Sequence, residues 1–161
     1  MFMGERILLQ AEIVAIGNEI ISGLIQDTNG RYLSKQLHLL GIDVSRITAV
    51  GDDKNSISRV VEGALGRVGI VIITGGLGST HDDITKDVLA RLFHSKMIID
   101  NKVMGMLEVK FKERCQEIPV KVRSQYKVPE DATILYNEKG TAPGFLFEHD
   151  GKKLFLFQVF L

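Results

Sequence analysis

Apolar residues first gather at Ile13, Val14, Ala15 and Ile16, a run with no polar break. Such a run predicts a strand covered on both faces, spanning 11–16. The period then changes. Leu33, Leu37 and Leu40 recur at i, i+4 and i+7, which gives a helix one apolar face. Asp27-Thr28-Asn29 supplies capping side chains ahead of it, and Gly41 supplies a stop. A second strand is predicted over 42–50, ending at Gly51-Asp52-Asp53. A second amphipathic helix follows through Ile57, Val60, Val61, Ala64 and Leu65. Residues 69–73 form a third apolar run, followed by Thr74-Gly75-Gly76-Leu77-Gly78 and a helical pattern through Ile84, Val88, Leu89 and Leu92.

Strands alternating with helices in this way predict βαβ units and a mostly parallel sheet. Ligands of open sheets bind outside the carboxyl ends of the strands. The three strands end at Gly17, Gly51 and Gly75, so chemistry is expected at 17–19, 51–53 and 75–83. The second half is less regular. A helix is predicted over 102–115 through Val103, Met106, Leu107 and Phe111. A loop is predicted over 117–130, which holds Pro119 and Pro129. Short strands are predicted at 133–136, 144–148 and 153–157, the last two joined by a hairpin turn at His149-Asp150-Gly151. Five of the eight phenylalanines fall in the last seventeen residues, and the apolar run 154–161 closes the chain. That run reads as a final strand or a truncated end, and as an apolar patch that favours self-association.

At 161 residues, length favours one domain, 11–161, behind a loosely held leader, 1–10. Twenty basic residues balance twenty acidic ones, which argues against nucleic-acid binding by bulk charge. The sole cysteine, Cys115, allows no internal disulfide and suits a reducing cytoplasm. No apolar stretch approaches the roughly 20 residues that span a bilayer, and the leader lacks a signal-peptide core.

The segment from Thr74 through Gly75, Gly76, Leu77, Gly78 and Ser79 to Thr80 leaves a strand and enters a helix. Glycines there let the backbone turn sharply and aim N–H groups at an anion, which the helix N-terminus also attracts. A phosphate fits, and so does a plain tight turn, since neither a Rossmann nor a P-loop pattern is present. His81-Asp82-Asp83 and Thr85 open the same helix, and Asp52-Asp53 precede the previous one. Each acidic pair suits N-capping on its own. Two pairs at carboxyl ends of one sheet, beside a glycine loop, also suit a divalent metal held against a diphosphate. His38, His94 and His149 have no metal spacing and are expected at the surface or partly packed.

Three segments carry a family resemblance: A-E-I-V-A-I-G-N-E-I-I-S-G-L-I-Q-D-T-N at 11–29, T-G-G-L-G-S-T-H-D-D-I-T at 74–85 and N-E-K-G-T-A-P-G-F at 137–145. Their order resembles the N-terminal domain of the competence/damage-inducible CinA family, within the molybdopterin-binding MoaB/Mog-like superfamily. The resemblance implies a three-layer α/β/α sandwich with a mostly parallel sheet and a small hairpin region near the C-terminus. It also implies a glycine loop that binds a pterin or nucleotide phosphate, and homo-oligomers, dimeric or trimeric. The sequence departs from the family at Ser79, where proline is common, and after Phe157, where a Leu-Pro-Gly-Val-Pro turn usually follows. The family's further nicotinamide mononucleotide deamidase domain has no counterpart in 161 residues, so that activity is not carried over.

The leading expectation is a metal-dependent nucleotide pyrophosphatase acting on ADP-ribose-like diphosphates. Asp52, Asp82 and Asp83 would be catalytic, and Asp52, Asp53 and Asp82 would hold a Mg-like divalent ion. Gly17, Asn18, Glu19, Asp27, Gly75, Gly76, Gly78, Ser79, Thr80, Asn137, Gly140, Thr141 and Gly144 would bind the ligand. Two alternatives stand beside it: a molybdopterin-binding or molybdopterin-adenylylating protein, and a non-catalytic binding module.

Overall fold

A computed structural model describes residues 9–78 and 84–158. Its main sheet has six strands: β1 (Gln10–Ile16), β2 (Asp43–Val50), β3 (Ile70–Thr74), β6 (Thr133–Leu135), β7 (Gly144–His149) and β8 (Lys152–Phe157), in the order β2-β1-β3-β8-β7-β6. The first four in that order are mutually parallel, while β7 runs antiparallel to both β8 and β6. The helices are α1 (Asn18–Ile21), α2 (Thr28–Leu39), α3 (Lys54–Arg67), α4 (Thr85–Leu92) and α5 (Asn101–Glu113). A second small sheet pairs β4 (Met97–Ile99) with β5 (Lys127–Pro129).

The two-residue period of the strands divides the core into two layers. Val14 and Ile16 of β1, Val71 and Ile73 of β3, Phe145 and Phe147 of β7, and Leu154 and Leu156 of β8 face the layer that includes Ile57 and Val61 of α3, Leu89 of α4 and Leu107 of α5. Ala11, Ile13 and Ile72 face the opposite way, toward Leu37 of α2. This is the expected α/β/α sandwich, with α2 alone on the thinner side among the described residues. The Asp150-Gly151 turn forms as predicted, with φ of 50° and 74° at its two central residues.

Three expectations need correction. Gln10, placed in the leader, already pairs with Asp43 in the sheet. The predicted loop 117–130 contains a 3₁₀ helix (Val120–Tyr126) and β5. Its buried positions, Val122 and Gln125, lie three apart, the 3₁₀ repeat, which neither an α-helical nor a strand period detects. The expected hairpin near the C-terminus forms from β7 and β8, and β8 inserts between β3 and β7 and completes the main sheet. For the same reason the apolar run from 154 is not an exposed patch as far as Phe157: Leu154 and Leu156 are fully buried, and Phe155 stacks on Phe157 at 5.9 Å. Residues 159–161 lie outside the described residues.

Candidate functional site at the carboxyl edge of the sheet

The parallel strands β1, β2, β3 and β8 all end at one edge, and the β6–β7 connection begins and ends there too. Gly17, Asp52, Gly76 and the 137–144 segment therefore share one side of the molecule. Asp82, expected with them, lies outside the described residues, as do Ser79, Thr80, His81 and Asp83.

The loops after β1 and β2 are stitched together by a reciprocal pair. The Asn18 N–H donates to Asp52 Oδ2 at 2.9 Å, and the Asp52 N–H donates to Asn18 Oδ1 at 3.2 Å. Asn18 Oδ1 also occupies the space that a Cβ on Gly51 would need, 2.5 Å from it. Asn18 thus orients Asp52, and Asp52 stands half-buried at the mouth of the edge. Glu19 folds its carboxylate over Gly17, with Oε1 2.5 Å from where a Cβ would stand.

The neighbouring carboxylates have other work. Asp53 accepts from the Ser56 N–H at 2.8 Å as the cap of α3, and this bond holds its carboxyl below the usual range. Asp27 caps α2 by accepting from the Gly30 N–H at 2.9 Å. These are the capping roles that the sequence allowed for each. No group of three or more His, Cys, Asp or Glu side chains is placed to hold a metal among the described residues. The donor type at the edge, carboxylate oxygen, suits a hard divalent ion, but Asp52 alone does not make a site.

The glycine loop is tightly built. Gly75 (φ 96°) and Gly76 (φ 66°) adopt backbone angles that side chains rarely tolerate. A Cβ on Gly75 would lie 2.1 Å from the Ile16 carbonyl oxygen, and one on Gly76 1.9 Å from Thr85 Oγ1. The loop thus presses directly on the end of β1 and the start of α4. The Leu77 N–H donates to Gln158 Oε1 at 3.2 Å. Gln125 Nε2 donates to the Leu77 and Gly78 carbonyls at 2.8 and 2.7 Å. Neither glutamine was singled out from the sequence, since a lone glutamine in an aperiodic stretch carries no signal.

Asn137 organises the last segment. Its Oδ1 accepts from the Lys139 and Gly140 N–H groups, and its Nδ2 donates to the Ala142 carbonyl. Lys110 of α5 reaches across to donate to the Asn137 and Gly140 carbonyls, and burial draws its pKa down. Thr141 lines a small crevice with Lys110, Tyr136 and Asn137. Gly144 packs its Cα against β8, where a Cβ would stand 3.0 Å from the Leu156 carbonyl oxygen. So Asn137, Gly140 and Gly144 shape the turn with their own atoms. A cleft of about 830 Å³ between α5 and the 3₁₀ helix is lined by Phe111, Cys115, Arg123 and Tyr126, and by none of the edge residues. His38, His94 and His149 are exposed, as is Cys115. No helix of the described residues is long and apolar enough to cross a membrane.

Comparison with known proteins accounts for this arrangement. Residues 12–157 match the family described as "Probable molybdopterin binding domain". A protein of Caldicellulosiruptor saccharolyticus carried under the name competence-damage inducible protein is 44% identical over 144 residues, 89% of this chain and 35% of that one. A CinA-like protein of Gemmatimonas aurantiaca is 43% identical over 88% of this chain and 33% of its own length. The chain thus spans about a third of the length of these relatives. The crystal structure of CinA from Thermoplasma acidophilum, a protein of unknown function, superposes with a TM-score of 0.83 at 29% identity, covering 92% of this chain and 87% of that one. Molybdenum cofactor biosynthesis protein B shares the fold, with a TM-score of 0.60 at 19% identity over 93% of this chain and 80% of its own. With its match running from β1 to the end of β8, this chain belongs to the molybdopterin-binding domain family, in the CinA-like branch.

Proposed function

We propose that this domain is a metal-dependent pyrophosphatase that hydrolyses the phosphoanhydride of ADP-ribose-like nucleotides. The observation that carries this reading is that a braced glycine loop, an oriented Asp52 and the Asn137–Gly144 turn (residues 137–144) open onto one sheet edge. Peptide groups of the loop and the N-terminus of α4 would receive the diphosphate. Asp52 and Asp82 would hold a divalent ion, which supplies charge neutralisation for the phosphoanhydride when bound. Asp83 would orient the attacking water, and Gly17–Glu19 (residues 17–19) would border the nucleoside. Asp27 and Asp53 act from outside the pocket, by fixing the starts of α2 and α3. The domain would work in the cytoplasm as a homo-oligomer.

The test is hydrolysis of ADP-ribose and related dinucleotides by purified protein, with and without Mg²⁺. Asp82→Asn should leave α4 intact, since its N-cap position is Ile84 and not an aspartate, while weakening metal binding, because a neutral amide is a poorer ligand for a hard divalent ion than a carboxylate. Turnover should fall about a hundredfold, the scale of a lost transition-state contact. If Asp82→Asn and Asp83→Asn both lower the melting temperature and leave turnover per folded molecule unchanged, the aspartates serve stability alone and the hydrolase reading fails. The family match favours a second reading, in which the same loop binds molybdopterin or supports its adenylylation. Binding of molybdopterin without hydrolysis of any dinucleotide would select it.

A further inference from the structure

We propose that Gln125 is a positioning residue for the glycine loop, holding the Leu77 and Gly78 carbonyls so that the loop meets a phosphate-bearing ligand in one fixed conformation. The inference rests on the pyrophosphatase reading for the ligand, but its geometry is independent of it. Gln125 is 2% exposed, and its single Nε2 serves both carbonyls, 48 and 47 residues away in sequence. Two donors on one terminal nitrogen are what a carboxamide offers and a hydroxyl or thioether does not.

The cost of keeping a glutamine here is visible. Its Oε1 is buried with no hydrogen-bond partner among the described residues. A buried acceptor without a partner destabilises by about 1–3 kcal/mol in general. An apolar side chain of the same size would avoid that, so the two donated bonds are what the position serves.

The rest of the contact chain fits. The peptide unit is planar and trans, so drawing the Leu77 carbonyl toward Gln125 turns the Gly78 N–H of the same plane in the opposite direction. The Leu77 N–H is held separately by Gln158, at the end of β8. Gln125 is itself braced. Lys86 of α4 donates to the Ser124 carbonyl at 3.0 Å and the Lys127 carbonyl at 2.7 Å, on either side of it. The loop thus rests on the 3₁₀ helix, and the 3₁₀ helix rests on the helix that the loop enters.

The experiment compares wild type, Gln125→Met and Gln125→Glu. Hydrogen exchange at the Gly76, Leu77 and Gly78 amides is measured by NMR, and ADP-ribose and inorganic pyrophosphate are titrated by calorimetry with Mg²⁺. Gln125→Met keeps the volume and removes both donors. It should speed exchange at these amides and weaken ADP-ribose binding, each by about tenfold. Gln125→Glu keeps the shape. Its protonated acid donates one bond, so its affinity should recover in part as pH falls through its titration, a response that packing alone would not produce. Unchanged loop exchange with wild-type affinity in both variants would overturn the proposal. If wild type binds neither probe, the pyrophosphatase reading fails, and loop exchange alone decides the role of Gln125. If Gln125→Met does not fold, the pH response of Gln125→Glu decides it, and a flat response overturns it.

Discussion

Lys86 offers a direct measurement of what the support beneath the glycine loop costs. It is 9% exposed and donates to two backbone carbonyls. Burial lowers its pKa from 10.5 to about 8, opposed by the neighbouring Asp87 and reinforced by Lys127. A lysine whose folded pKa is depressed binds fewer protons in the native state than in the unfolded state between those two values. Stability must therefore rise with pH across that window. Below pH 8 the full cost of burying the charge is present, and above 10.5 both states are neutral and the cost is gone. Between pH 7 and pH 10 the gain works out to about 2–3 kcal/mol from the two pKa values. Lys86→Met keeps the unbranched chain and abolishes the titration. Urea unfolding of both proteins at pH 7, 8, 9 and 10 isolates the effect, because other lysines and tyrosines cancel in the difference. The stability of wild type relative to Lys86→Met should climb by about 2–3 kcal/mol over that range, whatever its sign at pH 7. A difference that stays flat within about 0.5 kcal/mol would refute the argument, since Lys86 would then titrate alike in both states.

Three further outcomes are expected. Gly75→Ala should lose about 3 kcal/mol or more in urea unfolding, because its Cβ would meet the Ile16 carbonyl oxygen at 2.1 Å and its φ of 96° disfavours any side chain. Asp53→Ala should lose about 1 kcal/mol as an N-cap while Asp53→Asn loses little, and neither should alter turnover per folded molecule if Asp53 stands outside the chemistry. Glu12, buried in β1 and paired bidentately with Arg67 at 2.7 and 2.8 Å, has its carboxyl pulled below 4.5 by that pair. Its stabilisation is present above the ordinary carboxyl range and disappears as pH falls through its lowered folded value, so Glu12→Gln should flatten the acid limb of the stability curve.

Much of this protein was legible without coordinates, and the reason is local. Ile13 to Ile16 and Val71 to Ile73 are apolar runs whose period and length allow little besides buried strands. Asp27 and Asp53 cap helices within three residues of themselves, so each signal and its partner lie in one short window. The edge where Gly17, Asp52 and Gly76 gather follows from the strand ends of a parallel sheet, a rule of topology rather than of side-chain detail. What the tertiary structure decided was long in sequence. β8 lies between β3 and β7, which puts Leu154 and Leu156 of the final apolar run in the core rather than on a surface patch. Asn18 meets Asp52 across 34 residues, Lys86 meets Lys127 across 41, and Gln125 meets Leu77 across 48. A polar side chain binding a backbone carbonyl leaves no pattern in either segment, because every residue carries that carbonyl. Periodicity records which way side chains face, so it found the strands and helices. The hydrogen bonds that hold the loops of the site depend on which distant backbone the fold brings near, and only the folded chain determines that.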